Sequence, residues 1–213
     1  MAPSRTWPVP EPFYRALVWL DVRLAVLVTV GVPLVLLGWA LWKREQALVR
    51  LLSIYWKVAS LLLITHLLMA DRRPLAFLLA IPAQLIVVAA MWFWVDLNEE
   101  LADLPPWRPL PLTLRLWRWS LSYWGVIGTL FSLTALGCMD RAQLASARCQ
   151  DWIQPPFQLQ AALDGVFDFV LGGDWTPAIA AFVGYVALVI YVVGLLQWAL
   201  VRLPKMGRIA GGF

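Results

Sequence analysis

Four carboxylates crowd the stretch WFWVDLNEELADLPP at residues 92–106, directly after an aromatic, apolar run. Asp96, Glu99 and Asp103 are spaced i, i+3 and i+7, so a helix would carry them on one face, with Glu100 beside them. Such a face can hold magnesium for a phosphate substrate through hard oxygen ligands. It can equally form an ion-pair or docking patch, or be the wet end of a helix that has just left a bilayer. Carboxylates near a helix C-terminus oppose the helix dipole, so nearby cations should compensate them. Arg108, Arg115 and Arg118 follow in sequence and are the candidates. Elsewhere, His66 is the only histidine and lies within an apolar run. An intramembrane ionisable residue is a functional candidate, here as a ligand to a chlorophyll or haem metal or as a proton relay. Its alternative is a structural hydrogen bond near the end of a span. The only two cysteines, Cys138 and Cys149, share one loop. They are either a disulfide or two free thiols, because spacing cannot show that the sulfurs meet.

The elements that must position these residues follow from composition. The 213-residue chain is 62% hydrophobic and 14% charged, against about 25% charged residues in an average soluble domain. A soluble domain of this size could not hide so much apolar surface, whereas a bilayer can. Its 14 Trp suit the membrane interface, where the ring is buried and the N–H stays wet. The fold expected is all-α, a single membrane domain of about five spans at 24–41, 52–70, 75–95, 117–137 and 177–201. Residues 1–23 form a proline-rich arm and an interfacial segment, 138–176 a loop, and 202–213 a tail. The arm lacks the apolar core and cleavage site of a removed signal peptide. Gly31 and Pro33 should bend the first span. Within the loop, Leu159, Leu163, Val166, Phe167 and Val170 fall on one helical face and Gln160, Asp164 and Asp168 on another. This predicts an amphipathic helix, stopped by Gly172 and Gly173, that lies on the membrane surface or folds back onto the bundle.

Five spans place the termini on opposite sides. Arg15 and Arg23 before the first span are balanced by Glu11 and Asp21, whereas Lys43, Arg44 and Arg50 after it face only Glu45. The positive-inside rule therefore predicts the N-terminus outside and the C-terminus cytoplasmic. That puts both cysteines on the oxidising side, where disulfides persist. It also gathers Trp39, Trp42, Trp56, Trp92, Trp94, Trp117, Trp119 and Trp198 at the cytoplasmic ends of the spans. Ser122, Gly125, Thr129 and Ser132 form a small-residue stripe, and Ala180 with Gly184 a second, as close helix packing requires. The formal charge of +4 comes without a basic run or binding motif, so nucleic acid is not expected as a partner. No nucleotide loop, zinc motif or nucleophile elbow occurs.

Two resemblances bear on function. The D-x-x-E-x-x-x-D pattern at 96–103 is similar to the acidic motif of intramembrane prenyltransferases, which carry a second acidic motif and more spans than this chain. The segments FYRALVWLDVRLAVLVTVGVPLVLL, FWVDLNEELADLPP and VRLPKMGR resemble, along nearly the whole chain, a cyanobacterial family of integral membrane proteins classed as a domain of unknown function. That resemblance implies a thylakoid or plasma membrane location and no particular reaction. The leading expectation is a non-enzymatic accessory, assembly or scaffold protein acting with membrane-protein partners, for example photosynthetic complexes. The alternatives are a small-molecule or ion transporter with a cavity lined by Lys57, His66 and Gln84, and a magnesium-dependent lipid or prenyl enzyme using the acidic face. No cofactor is expected under the leading reading; chlorophyll at His66 and magnesium at 96–103 belong to the alternatives.

Overall fold

The structure, a computed structural model, describes residues 11–210, all of whose regular elements are helical. Helix α1 (Glu11–Val26) runs through a π turn (Leu27–Gly31) into α2 (Val32–Lys43), forming one long rod. After it come α3 (Gln46–Ala70), α4 (Leu75–Phe93), the short α5 (Val95–Ala102) and α6 (Pro109–Leu133). A 3-10 turn (Leu136–Met139) leads to α7 (Ala147–Leu171), and α8 (Pro177–Gln197) passes through a second π turn (Trp198–Arg202) into α9 (Leu203–Met206). Among the described residues, four helical stretches are long and apolar enough to cross a membrane: Phe13–Lys43, Gln46–Ala70, Leu75–Phe93 and Pro177–Met206. The fifth, α6, has 25 residues, about 37 Å at 1.5 Å per residue, and packs against α4. Arg115, Arg118, its serines and its tryptophans dilute its apolar content.

The rod does not begin at residue 24. Its helix is continuous from Glu11, so the segment at 13–23 is the N-terminal part of the same rod. At 1.5 Å per residue the 31-residue stretch exceeds a hydrocarbon core of about 30 Å, so part of it lies outside that core. The surplus at the N-terminal end is charged, and it packs on α7. Arg15 donates to Gln154 Oε1 at 2.8 Å and stands 3.8 Å from Asp151. Tyr14 Oη accepts from Trp152 Nε1 at 2.8 Å and meets Thr134 Oγ1 at 2.9 Å.

Both π turns end two residues before a proline, Pro33 and Pro204. Proline has no N–H to offer and its ring collides with the carbonyl four residues back, so the preceding turn widens. Around Pro33 the freed carbonyls find partners on other helices. Tyr55 Oη donates to the Thr29 carbonyl at 2.5 Å, and Trp117 Nε1 to the Val28 carbonyl at 2.8 Å.

Two buried clusters divide the interior. One, at the disulfide end, joins Val18, Ile64, Leu68, Phe77, Ala135, Trp152 and Ala181 around the bridged Cys138 and Cys149, whose Cα atoms are 5.6 Å apart. The other, at the tail end, joins Leu36, Leu48, Tyr55, Met91, Trp94, Leu114 and Trp117, with Ala210 of the C-terminal tail inserted among them. The small-residue stripe on α6 is where α4 lies against it: a Cβ added at Gly125 would stand 2.4 Å from Val88 Cγ2, and one at Gly128 2.4 Å from Gln84 Oε1. Gly184 likewise admits Leu68 of α3 against α8.

The amphipathic helix of the loop is longer than the 154–173 stretch, since α7 starts at Ala147 and carries Pro155 and Pro156 inside it. Gly172, at φ +67°, closes it in the left-handed conformation that glycine adopts without steric cost. Two residues of its polar face, Gln160 and Asp164, turn inward, while Asp168 is exposed. Gln160 is buried and donates to the Trp175 carbonyl, and Asp164 accepts from the Trp175 amide at 2.6 Å. Val166, Phe169 and Val170 are left exposed on the outside.

Candidate functional site

The acidic stretch is not the C-terminal end of the third span. Helix α4 ends at Phe93, Trp94 adopts an extended conformation (φ −84°, ψ 112°), and a new helix begins at Val95. Asp96 therefore lies in the first turn of α5, where the helix dipole favours a carboxylate. The break exists because the C-terminal tail crosses it. The Val95 amide donates to the Arg208 carbonyl at 3.1 Å, and Arg208 Nε donates to the Phe93 carbonyl at 2.7 Å. Asp96 receives the Ala210 amide on both oxygens, at 3.0 and 2.9 Å. Trp94 is buried between Phe93 and Trp198, with ring centroids at 5.2 and 6.0 Å.

The three downstream arginines do not form ion pairs with the four carboxylates. Glu100 is held by Arg50 of α3, at 2.5 and 2.8 Å. Arg115 instead points Nη2 at the carbonyls of Leu101, Ala102 and Leu104, at 3.2, 3.4 and 3.2 Å, and so closes the C-terminal end of α5. Arg118, 5% exposed, performs the same service for α4: its Nη2 donates to the Met91 carbonyl and, at 2.5 Å, to Asn98 Oδ1. Asn98 Nδ2 donates in turn to the Trp92 carbonyl at 3.1 Å. These cations meet backbone carbonyls because the last carbonyls of each helix lack an intrahelical donor. Glu99, Asp103 and Arg108 are exposed and enter no salt bridge among the described residues. Among those residues, too, no three of His, Cys, Asp and Glu converge as a metal site would require.

Beside Arg118 lies a cavity of about 600 Å³, bounded by Trp92, Asn98, Leu101, Leu114, Arg115 and Trp119. The Arg118 guanidinium stands 4.2 Å from the Trp92 ring centroid, and Trp92 Nε1 donates to Ser122 Oγ at 2.8 Å. Arg118 Nε is buried with no acceptor. Lys57, His66 and Gln84 do not line this cavity. His66, on α3, has its Nδ1 2.8 Å from the Leu62 carbonyl; since that oxygen can only accept, Nδ1 carries the proton and Nε2 is the ring's remaining acceptor. Gln84 Nε2 donates to Ser132 Oγ at 2.9 Å in the α4–α6 contact. Asn98 and Arg50 have no signal in the sequence, because the charged side chains they meet, Arg118 and Glu100, lie 20 and 50 positions away.

The molecule is thus an all-helical membrane protein with a charged, aromatic face at the end where its C-terminal tail is docked. The chain belongs to the family described as "Protein of unknown function (DUF3177)", which matches residues 15–211. Neither a curated protein nor a solved structure matches the chain.

Proposed function

We propose that the protein is a non-enzymatic accessory, assembly or scaffold component that docks membrane-protein partners through its tail end. One observation carries this reading. In the stretch 96–118, Asp96, Glu100, Arg115 and Arg118 are committed to the protein's own fold, whereas Glu99, Asp103, Arg108 and the 79%-exposed Trp107 face outward together on one end of the bundle. Exposed charges of both signs beside an exposed tryptophan suit a recognition surface. Among the described residues the carboxylates at 96–103 do not converge on one point, and Gln84 Nε2 is spent on Ser132 in a helix contact, which favours this reading over a magnesium enzyme or a transporter.

The charge asymmetry around the first span supports an N-terminus outside and a cytoplasmic tail, and the resemblance to the cyanobacterial family is what implies a thylakoid or plasma membrane. The test is affinity purification of the tagged full chain from native membranes in mild detergent, with mass spectrometry of what accompanies it. The expected result is a stoichiometric membrane partner that Glu99→Lys with Asp103→Lys removes while the protein itself stays folded. A lone protein, or a partner indifferent to both reversals, would overturn the reading. Absorption spectra of the same preparation test a pigment on His66 Nε2; a colourless protein would dismiss it.

A further inference from the structure

We propose that the cavity between α4, α5 and α6 is a binding site for the phosphodiester headgroup of an anionic phospholipid. The inference does not depend on the docking function above, since it concerns a different surface and a ligand already present in the bilayer.

The first argument is charge. Arg115 and Arg118 both line the cavity, and no carboxylate pairs with either among the described residues. Each guanidinium caps a helix C-terminus, and a helix end supplies at most about half a negative charge. Two guanidiniums against two such ends leave about one positive charge uncompensated. Burying charge without a counter-ion is costly, and Arg118 is 5% exposed. A phosphodiester carries one negative charge, which is the quantity missing.

The second argument is donor geometry. A guanidinium has five N–H groups in a planar fork suited to phosphate oxygens. Arg118 spends Nη2 on Met91 and Asn98, while its Nε is buried with no acceptor. Capping alone would need only a neutral donor.

The third argument is place and shape. Helix α4 has 19 residues, about 28 Å of length, which brings its C-terminal end to the boundary of a hydrocarbon core about 30 Å thick. The cavity lies at that end, with Trp92 and Trp119 in contact at 5.0 Å along its edge. Trp at this depth marks the headgroup level. A volume of about 600 Å³ exceeds what a bare anion fills, and Leu101 and Leu114 supply apolar walls for the part of the ligand next to its phosphate.

The test uses the full chain, delipidated in an uncharged detergent and examined by native mass spectrometry and thermal unfolding. Phosphatidylglycerol, with one net negative charge, should bind at one copy per protein at least tenfold more tightly than phosphatidylcholine, whose headgroup is neutral overall. Arg115→Gln, and Ala102→Trp at an exposed position of the cavity wall, should each weaken phosphatidylglycerol binding at least tenfold. Circular dichroism confirms that these variants are folded. Equal binding of the two lipids, or phosphatidylglycerol binding unchanged in both variants, would overturn the proposal. Inorganic phosphate that stabilised the protein as well as the lipid does would show a simple anion site and overturn the lipid assignment.

Discussion

The bend at Pro33 offers the sharpest quantitative test of how this bundle is held together. Whichever helical register is followed, the carbonyl that Pro33 fails to serve is that of Thr29, four residues back, or Val28, five residues back. The structure satisfies both from other helices, with Tyr55 Oη on Thr29 and Trp117 Nε1 on Val28. Water is absent at this depth, so a freed carbonyl must be met by protein. Tyr55→Phe removes one hydroxyl from a fully buried ring and little else. A lost hydrogen bond is worth about 1 kcal/mol, and an orphaned buried acceptor about 1–3 kcal/mol. Interhelical bonds within bilayers average about 0.6 kcal/mol, with a maximum of about 1.7 kcal/mol. The expected cost of Tyr55→Phe is therefore about 1–2 kcal/mol. Trp117→Phe adds lost ring volume in the core and should cost about 2–3 kcal/mol. The two rings meet edge-on at 5.0 Å, so the double variant should be non-additive by about 0.5–1.5 kcal/mol.

The assay is reversible unfolding in mixed micelles, read by tryptophan-independent circular dichroism. Pro33→Ala provides the internal control, because it restores the missing N–H. In that background, the hydrogen-bond part of one of the two losses, about 1 kcal/mol, should disappear, while the ring-volume part of the Trp117→Phe loss remains. Costs below about 0.3 kcal/mol for both single variants, or costs unchanged in the Pro33→Ala background, would refute the account of the bend, since an unmet carbonyl in a dry core carries a penalty well above that.

Three further outcomes are expected. Gly125→Ala forces a Cβ to within 2.4 Å of Val88 Cγ2, a stiff β-branched neighbour, and should destabilise by about 1–3 kcal/mol; Val88→Ala in the same chain should recover most of that loss in the same unfolding assay. Cys149→Ser opens a short loop, Cys138 lying 11 residues away, and should cost about 2–4 kcal/mol; reducing agent should lower the thermal midpoint of the native chain and leave that of the variant unmoved. Asp96→Ala removes both acceptors of the Ala210 amide and should free the tail, so that limited trypsin cleaves after Lys205 or Arg208 several-fold faster than in the native chain. An unchanged cleavage rate would show that Arg208 alone holds the tail.

Much of the architecture was legible along the chain because a bilayer imposes one dominant requirement. Apolar runs of about 20 residues, prolines that cannot donate and glycines that admit a neighbour are local properties, and they announce themselves locally. Thus the apolar runs and the small-residue face of α6 could both be read in advance. The family resemblance was legible for the same reason, being spread along nearly the whole chain, residues 15–211.

What the tertiary structure alone decided is how the charged residues are spent. Sequence spacing put Asp96, Glu99 and Asp103 on one continuing helix and offered them three nearby arginines. The fold broke that helix at Trp94, gave Asp96 to a tail amide 114 positions away, and gave Glu100 to Arg50, 50 positions away. It turned Arg115 and Arg118 toward helix-end carbonyls, leaving one of them beside a cavity with a buried donor unmet. Hydrophobicity is a property of a segment and can be summed along it. Charge compensation is a property of a place, and in a bundle the groups that share a place come from distant parts of the chain.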